Sequence, residues 1–313
     1  MTGLCSVICV SYNHARFAAF GLRSIYDQSY RNIEIIVLDD GSTDNSVEVI
    51  EETLKESPFP TRFIKQKNTG NVPKNFNIAL AAARGEYVTM MSLDDLLMKG
   101  CISNAVSILS SDQKITFAAN SGHVEIDQDG LLLTDEIHLP KLDNFPKSIE
   151  DLINLEYDLF GSFYIQGQVF RLDAINAIGG FDEDQTGDDI ILRTKLFLYM
   201  DKHSDLKYSL GNEVVLAYRK HSQNLHRNAL RQIQTITQWK EAYFPDRAYP
   251  DLFYRMIHGF VKRSIREGRF DDITAASRLS VDVSEVIGVQ LSTTKYRLKM
   301  FFKKAKLFLS CAN

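Results

Sequence analysis

The sequence predicts an α/β fold: a mostly parallel sheet with flanking helices, followed by a helical C-terminal extension. Three observations predict it. Nearly unbroken apolar runs at 5–10, 33–38 and 86–93 read as strands covered on both faces. Segments of helical period lie between them, which makes right-handed parallel crossovers. Each run stops on polar residues (Tyr12-Asn13, Asp39-Asp40 and Asp94-Asp95), and in open α/β sheets ligands bind beyond the carboxyl ends of the strands.

The elements follow in order. Strand 5–10 leads to a helix over 16–28, with Ala18, Leu22 and Ile25 on one face. After strand 33–38, Asp39-Asp40-Gly41-Ser42 is a strand-to-helix loop. Asp44 or Asn45 caps the next helix, with Glu48 three residues after Asn45. Val47, Ile50 and Leu54 form its inner stripe, and Pro58 and Pro60 end it. A short strand at 62–65 and a loop at 68–73 lead to a helix ending near Arg84-Gly85. Beyond strand 86–93 come a helix over 100–110, a strand at 115–119 and a hairpin over 124–134 that turns at Asp127-Gln128-Asp129-Gly130. The stretch 140–165 has no regular period. A strand at 168–171 and a short helix precede Gly179-Gly180, and from about 225 the pattern is helical.

Composition narrows the function. At 44% hydrophobic and 24% charged, the 313 residues can bury a core, which excludes global disorder. A net charge of -4 argues against a dedicated nucleic-acid binder. Four scattered cysteines without a CxxC pair suit a reduced, cytoplasmic protein. No secretory leader is expected at the N-terminus, and no run approaches the roughly 18–20 apolar residues of a membrane span.

The polar strand ends carry the candidate chemistry. Tyr12 and Asn13 form either an ordinary loop or a place to stack a base and hydrogen-bond a nucleotide. No Gly-x-Gly-x-x-Gly follows that strand, which argues against a dinucleotide-binding domain. Asp39 and Asp40 suit turn and cap chemistry or acceptance from a uracil N–H or ribose hydroxyl. Asp94 and Asp95 suit a hard divalent cation that bridges to substrate phosphates. Asp189, in Gly187-Asp188-Asp189, stands before an apolar helical run, where an acid is a helix cap or a general base. His221 lies in a cationic stretch that suits a diphosphate or a metal.

Taken together and in this order, the pieces resemble glycosyltransferase family 2, whose fold is the Rossmann-like GT-A fold. The string runs from Ser6 to Asn13, then Asp39 to Asp44, Asn68-x-Gly70, Asn77, Gly85-Glu86-Tyr87 and Leu93-Asp94-Asp95. It closes with Gly179-Gly180-Phe181-Asp182-Glu183, Asp188-Asp189 and Tyr218-Arg219-x-His221. The resemblance implies an inverting hexosyltransferase that carries a sugar from UDP to a hydroxyl, forming a β-glycoside, as in bacterial O-antigen or capsule synthesis on a polyprenyl diphosphate. It implies a GT-A domain over 1–224 (nucleotide-sugar half 1–119, acceptor half 120–224) and a helical region over 225–313. Tyr12, Asn13, Asp39, Asp40, Asn68, Lys74, Asn77, Ser92, Leu93, Asp94 and His221 would bind the nucleotide-sugar. Asp94, Asp95 and His221 would hold Mn²⁺ or Mg²⁺, and Asp189 would be the base. One departure is clear: Ser92 stands where the family's D-x-D motif has its first Asp.

The tail 290–313 interleaves Lys and Arg with aromatic and aliphatic residues, the composition of an interfacial anchor on anionic lipid. That would place the enzyme at the inner face of the cytoplasmic membrane, with a lipid-linked saccharide acceptor. Two alternatives are a nucleotidyltransferase, for which Ser11-Tyr12-Asn13-His14 lacks the Gly-rich basic loop, and an inactive nucleotide-sugar-binding module, which Ser92 keeps open.

Overall fold

The computed structural model describes residues 3–133, 146–221 and 228–293, which divide into two compact units. The first holds 3–156, 161–184 and 188–221. Its strands are β1 (Cys5–Ser11), β2 (Ile33–Asp39), β3 (Thr61–Lys65), β4 (Tyr87–Ser92), β5 (Leu96–Leu97), β6 (Ile115–Ile126), β7 (Val169–Arg171) and β8 (Lys207–Arg219). They form one sheet in the order β3-β2-β1-β4-β7-β6-β8-β5. The first four are parallel, as the apolar runs predict. β7 runs antiparallel to both β4 and β6, and β6 pairs parallel with β8.

Helices α1 (Ala18–Tyr26), α2 (Ser46–Leu54), α3 (Val72–Leu80) and α4 (Cys101–Ser111) follow the order read from the sequence. Ala18, Leu22 and Ile25 of α1 and Ile102, Ala105, Val106 and Leu109 of α4 enter one core with Val7, Cys9, Ile35 and Val37. Every residue of β2 is buried, which is why its sequence has no polar alternation.

Local hydrogen bonds move several boundaries. α2 buries Ser46, Ile50 and Thr53, while Val47 and Leu54 are only half-buried. Thr53 tolerates the inner face because its hydroxyl donates to the Val49 carbonyl. α3 stops at Leu80, before Arg84, because Glu34 accepts from both the Arg84 backbone N–H and its guanidinium and draws the chain out of the helix. Past 119, β6 continues to Ile126 along β8, and the expected hairpin is present as a short one: Ile126 bridges Leu132 antiparallel, Leu133 N–H donates to the Glu125 carbonyl, and in the turn Asp127 accepts from the N–H groups of Asp129 and Leu131. The 119/120 division therefore falls inside a strand.

Helices α5 (Ile149–Leu159), α6 (Leu172–Ala177) and α7 (Asp189–Asp201) complete the order up to β8. α5 occupies part of the stretch expected to be irregular, with Leu152, Ile153 and Tyr157 buried on one face, and β8 a stretch whose first half is exposed or half-buried and carries no strand pattern.

The second unit holds 157–160, 185–187 and 228–293, with α8 (Ala229–Tyr243), α9 (Asp251–Glu267), α10 (Phe270–Ala276) and α11 (Val281–Ser292). Trp239 is fully buried against Tyr157 and Phe244. The helical reading after 225 is met here. The 224/225 boundary and residues 294–313 of the tail lie outside the described residues. No helix among the described residues is long and apolar enough to cross a membrane.

Candidate functional site

Strand register gathers the polar ends. Ser11 pairs with Asp39 and Val10 with Ser92, so the loops after β1, β2 and β4 leave the sheet side by side. Backbone bonds tie them together: Asp40 N–H donates to the Ser11 carbonyl and Leu93 N–H to the Val10 carbonyl.

Several predicted ligands are already engaged by the protein. Asp39 accepts from both the N–H and the hydroxyl of Ser42, which closes its own loop. Asn13, at φ 57, accepts from the N–H groups of Thr43 and Asp44 and so locks the same loop to β1. Asp40 accepts from Thr69 N–H and the Gln66 amide, fastening the loop after β3. Asn68 lies against Gly41, whose φ is 70; a Cβ there would sit 2.5 Å from the Asn68 nitrogen. Gly41→Ala should therefore cost about 1–3 kcal/mol by thermal unfolding. A shift of the denaturation midpoint within error would contradict the crowding.

Asn77 is turned away from the strand ends. Its amide donates to the Phe181 carbonyl and Glu183 carboxylate and its carbonyl accepts from Phe181 N–H, so it braces the 180–183 loop. Leu93 is fully buried in the core. Asn77 is half-buried and braces that loop, and the Leu93 side chain packs in the core. Tyr12 is 44% exposed, which leaves its ring available to a flat ligand. Lys74 is exposed in the first turn of α3, where Asn71 accepts from its N–H.

The acids after β4 separate in role. Asp94 Oδ2 lies 2.9 Å from His221 Nε2 and 3.9 Å from His14 Nε2. Its Oδ1 is buried without a hydrogen-bond partner. Burial pushes the Asp94 carboxyl up, but His14 and hydrogen bonds from His221 and Ser92 outweigh it and hold the group at about 2. Asp94 is therefore a buried carboxylate with an unspent oxygen. Asp95 has none to spare: Oδ1 accepts from Arg219 N–H and Oδ2 from the Gln166 amide. Burial and the neighbouring Asp94 charge push its carboxyl up. The two hydrogen bonds of Asp95 anchor β8 and the 165–166 segment to the loop after β4. His221 is buried and tilted against Phe17.

Asp189 opens α7, and Asp188 accepts its N–H as the cap. Asp189 Oδ2 accepts from Ile165 N–H and lies 3.5 Å from Arg193. Burial, then the adjacent Asp188 charge, raise its carboxyl to about 7. The neighbouring Gln166 accepts from Ser92 N–H and donates to Asp95. One short segment, 165–166, thus links Asp189 to the Ser92–Asp95 loop. The sequence assigns no role to Gln166, Arg219 or His14. Arg219 stands in the Tyr218-Arg219-x-His221 string and His14 follows Tyr12-Asn13, whereas nothing local marks Gln166.

Among the described residues no three His, Cys, Asp or Glu side chains form a metal cage. The buried, unpartnered Asp94 Oδ1 is the kind of oxygen a hard divalent cation takes as a ligand, with His221 beside the same carboxylate.

Comparison with known proteins bears on the family and the fold. Residues 6–171 match the model of Glycosyl transferase family 2. Glycosyltransferase GlyG of Streptococcus pneumoniae is 35% identical over 102 residues, 33% of this chain and 34% of that protein. The GalNAc(5)-diNAcBac-PP-undecaprenol beta-1,3-glucosyltransferase of Campylobacter jejuni is 33% identical over 98 residues, 31% of this chain and 32% of that protein. The chain thus spans about a third of the length of these curated relatives. Among solved structures, the mannosyltransferase PcManGT of Pyrobaculum calidifontis, in complex with GDP-Man and Mn²⁺, superposes with a TM-score of 0.58 at 18% identity, covering 97% of this chain and 85% of that one. TarS of S. aureus, in complex with UDP-GlcNAc, gives 0.58 at 16% identity, covering 96% and 89%. The fold is GT-A. With more than half of its residues inside the family's pattern and the sheet arranged as its strand ends require, the chain belongs to glycosyl transferase family 2.

Proposed function

We propose that this chain is an inverting glycosyltransferase that moves a sugar from a UDP-sugar to a hydroxyl of a polyprenyl-diphosphate-linked saccharide in bacterial surface polysaccharide assembly. The observation that carries the reading is Asp189: an acid raised to about 7 and tied through 165–166 to the loop of the ionised Asp94. A base poised near neutral pH beside a diphosphate site is what glycosyl transfer to a hydroxyl needs.

Asp189 takes the proton of the acceptor hydroxyl as its oxygen attacks the anomeric carbon. The bond from that carbon to the diphosphate breaks on the opposite face, and UDP leaves with the electron pair. An α-linked donor gives a β-glycoside. Tyr12 stacks on the uracil, Asp40 and the loop shaped by Asp39 and Asn13 border the nucleotide, Ser92 meets the ribose, and Asn68 and Lys74 edge the phosphates. Asp94 and His221 would hold Mn²⁺ or Mg²⁺, which when bound neutralises charge on the departing diphosphate. The donor half is assigned to 1–119 and the acceptor half to 120–224.

UDP is supported by the likeness to TarS, and a lipid-linked acceptor by the likeness to the Campylobacter enzyme. That acceptor suits a cytoplasmic enzyme at the inner membrane face, with 290–313 as its contact. The test is release of UDP by the full chain from a panel of UDP-sugars with Mn²⁺ or Mg²⁺, an undecaprenyl-diphosphate-saccharide acceptor and an EDTA control. Metal-dependent turnover with one donor is expected. Turnover with GDP-sugars alone would overturn the uridine assignment, and binding of UDP-sugar without transfer to any acceptor would favour a binding module.

A further inference from the structure

Beneath the Asp189 carboxylate lies a second charged pair. Arg193, one turn along α7, is 3% exposed, and Glu156 of α5 is 1% exposed. The guanidinium spends its fork on three partners. Nε lies 3.0 Å from Glu156 Oε1, Nη2 lies 2.9 Å from the same oxygen, and Nη1 donates to the Phe163 carbonyl and approaches Asp189 Oδ2 at 3.5 Å. Glu156 Oε2 in turn accepts from both the N–H and the hydroxyl of Ser162. Gly161 makes room for the stack: a Cβ there would lie 3.1 Å from Arg193 Nη2. The pair is too well engaged to be a surface accident, and it is costly to bury.

We propose that Arg193 and Glu156 are positioning residues for Asp189: the guanidinium fixes the direction of its carboxylate, and Glu156 cancels enough of that positive charge to keep Asp189 able to accept a proton. This rests on Asp189 being the base. An unpaired arginine 3.5 Å from an aspartate would hold it ionised and make it a poor base at neutral pH. With Glu156 on its other side, the fork keeps its geometry while much of its field is neutralised. Among the described residues, the other titratable groups facing Asp189 are the Asp188 carboxylate at the cap of the same helix, the Tyr164 phenol beside Ile165 and the Tyr218 phenol of β8, none of them cationic.

The test uses the full chain labelled with [13Cγ]aspartate, the Asp189 resonance being assigned by its absence from Asp189→Asn. Glu156→Gln should lower the titration midpoint of Asp189 by roughly 1 pH unit and Arg193→Gln should raise it by as much. Midpoints equal to the parent in both variants would overturn the proposal. Should either single variant fail to fold around its lone charge, Glu156→Gln with Arg193→Gln removes both charges. Its midpoint should rise, because the nearer charge removed is the cation. An unchanged or lowered midpoint there overturns the proposal equally. The base assignment fails separately, by wild-type transfer in Asp189→Asn, whatever the titrations give.

Discussion

Asp189→Asn should lose transfer by about 10²–10⁴-fold while still binding the nucleotide-sugar. The amide keeps the shape and the acceptor for Ile165 N–H but cannot take a proton. In the parent, activity should fall about tenfold per pH unit below roughly 7, since only the ionised form is a base and the carboxyl is raised to about 7. Stability gives an independent control. The folded state holds the Asp189 proton between the ordinary 3.8 and about 7, where the unfolded chain has lost it. The native state therefore loses stability relative to the unfolded chain as pH rises through that window, and the cost is complete above it. Asp189→Asn removes that cost, so its Tm should rise at pH 8 and change little at pH 4. Activity loss with higher stability is the signature of a site residue held in an unfavourable environment. Equal transfer rates in the two proteins, measured at saturating donor and acceptor, would end the assignment.

Asp94→Asn should abolish metal-dependent donor binding. Losing even an outer partner of a metal site typically costs 10–100-fold in affinity, and losing a direct oxygen ligand should cost at least that. The effect is expected to be large here because Ser92 offers no second carboxylate at the site and Asp95 has both oxygens occupied. Calorimetric titration of UDP-sugar with Mn²⁺ should show the loss, while binding in EDTA should be equally weak in both proteins. The same change at Asp95 should act differently. Asp95→Asn leaves Arg219 N–H an acceptor but sets an amide against the Gln166 amide, so it should lower Tm first and donor binding only as a consequence. Metal-dependent binding by Asp94→Asn at the parent's affinity would remove Asp94 from the metal site.

Much of the parallel half of the sheet was legible in the sequence, for a definite reason. Strands covered on both faces must be apolar throughout, so 5–10 and 33–38 stand out with no structural knowledge, and their polar ends mark the ligand edge. The second half of the sheet was less legible. β8 carries partly exposed residues against β6 and so does not announce itself by period, while α5 has a stripe at Leu152, Ile153 and Tyr157 that is short and set in an otherwise irregular stretch.

The order of strands and helices through the first half of the sheet, the edge where the carboxylates collect and the family were therefore determined by the sequence alone, through hydrophobic period and residue types at strand ends. Only the tertiary structure decided which carboxylates remain available. Asp39, Asp40 and Asp95 are tied to Ser42, Thr69, Arg219 and Gln166, whereas Asp94 keeps an oxygen and Asp189 is raised toward neutrality. Adjacent aspartates look alike in a chain. Their difference comes from partners up to 127 residues away and from the water removed around them, neither of which local pattern encodes.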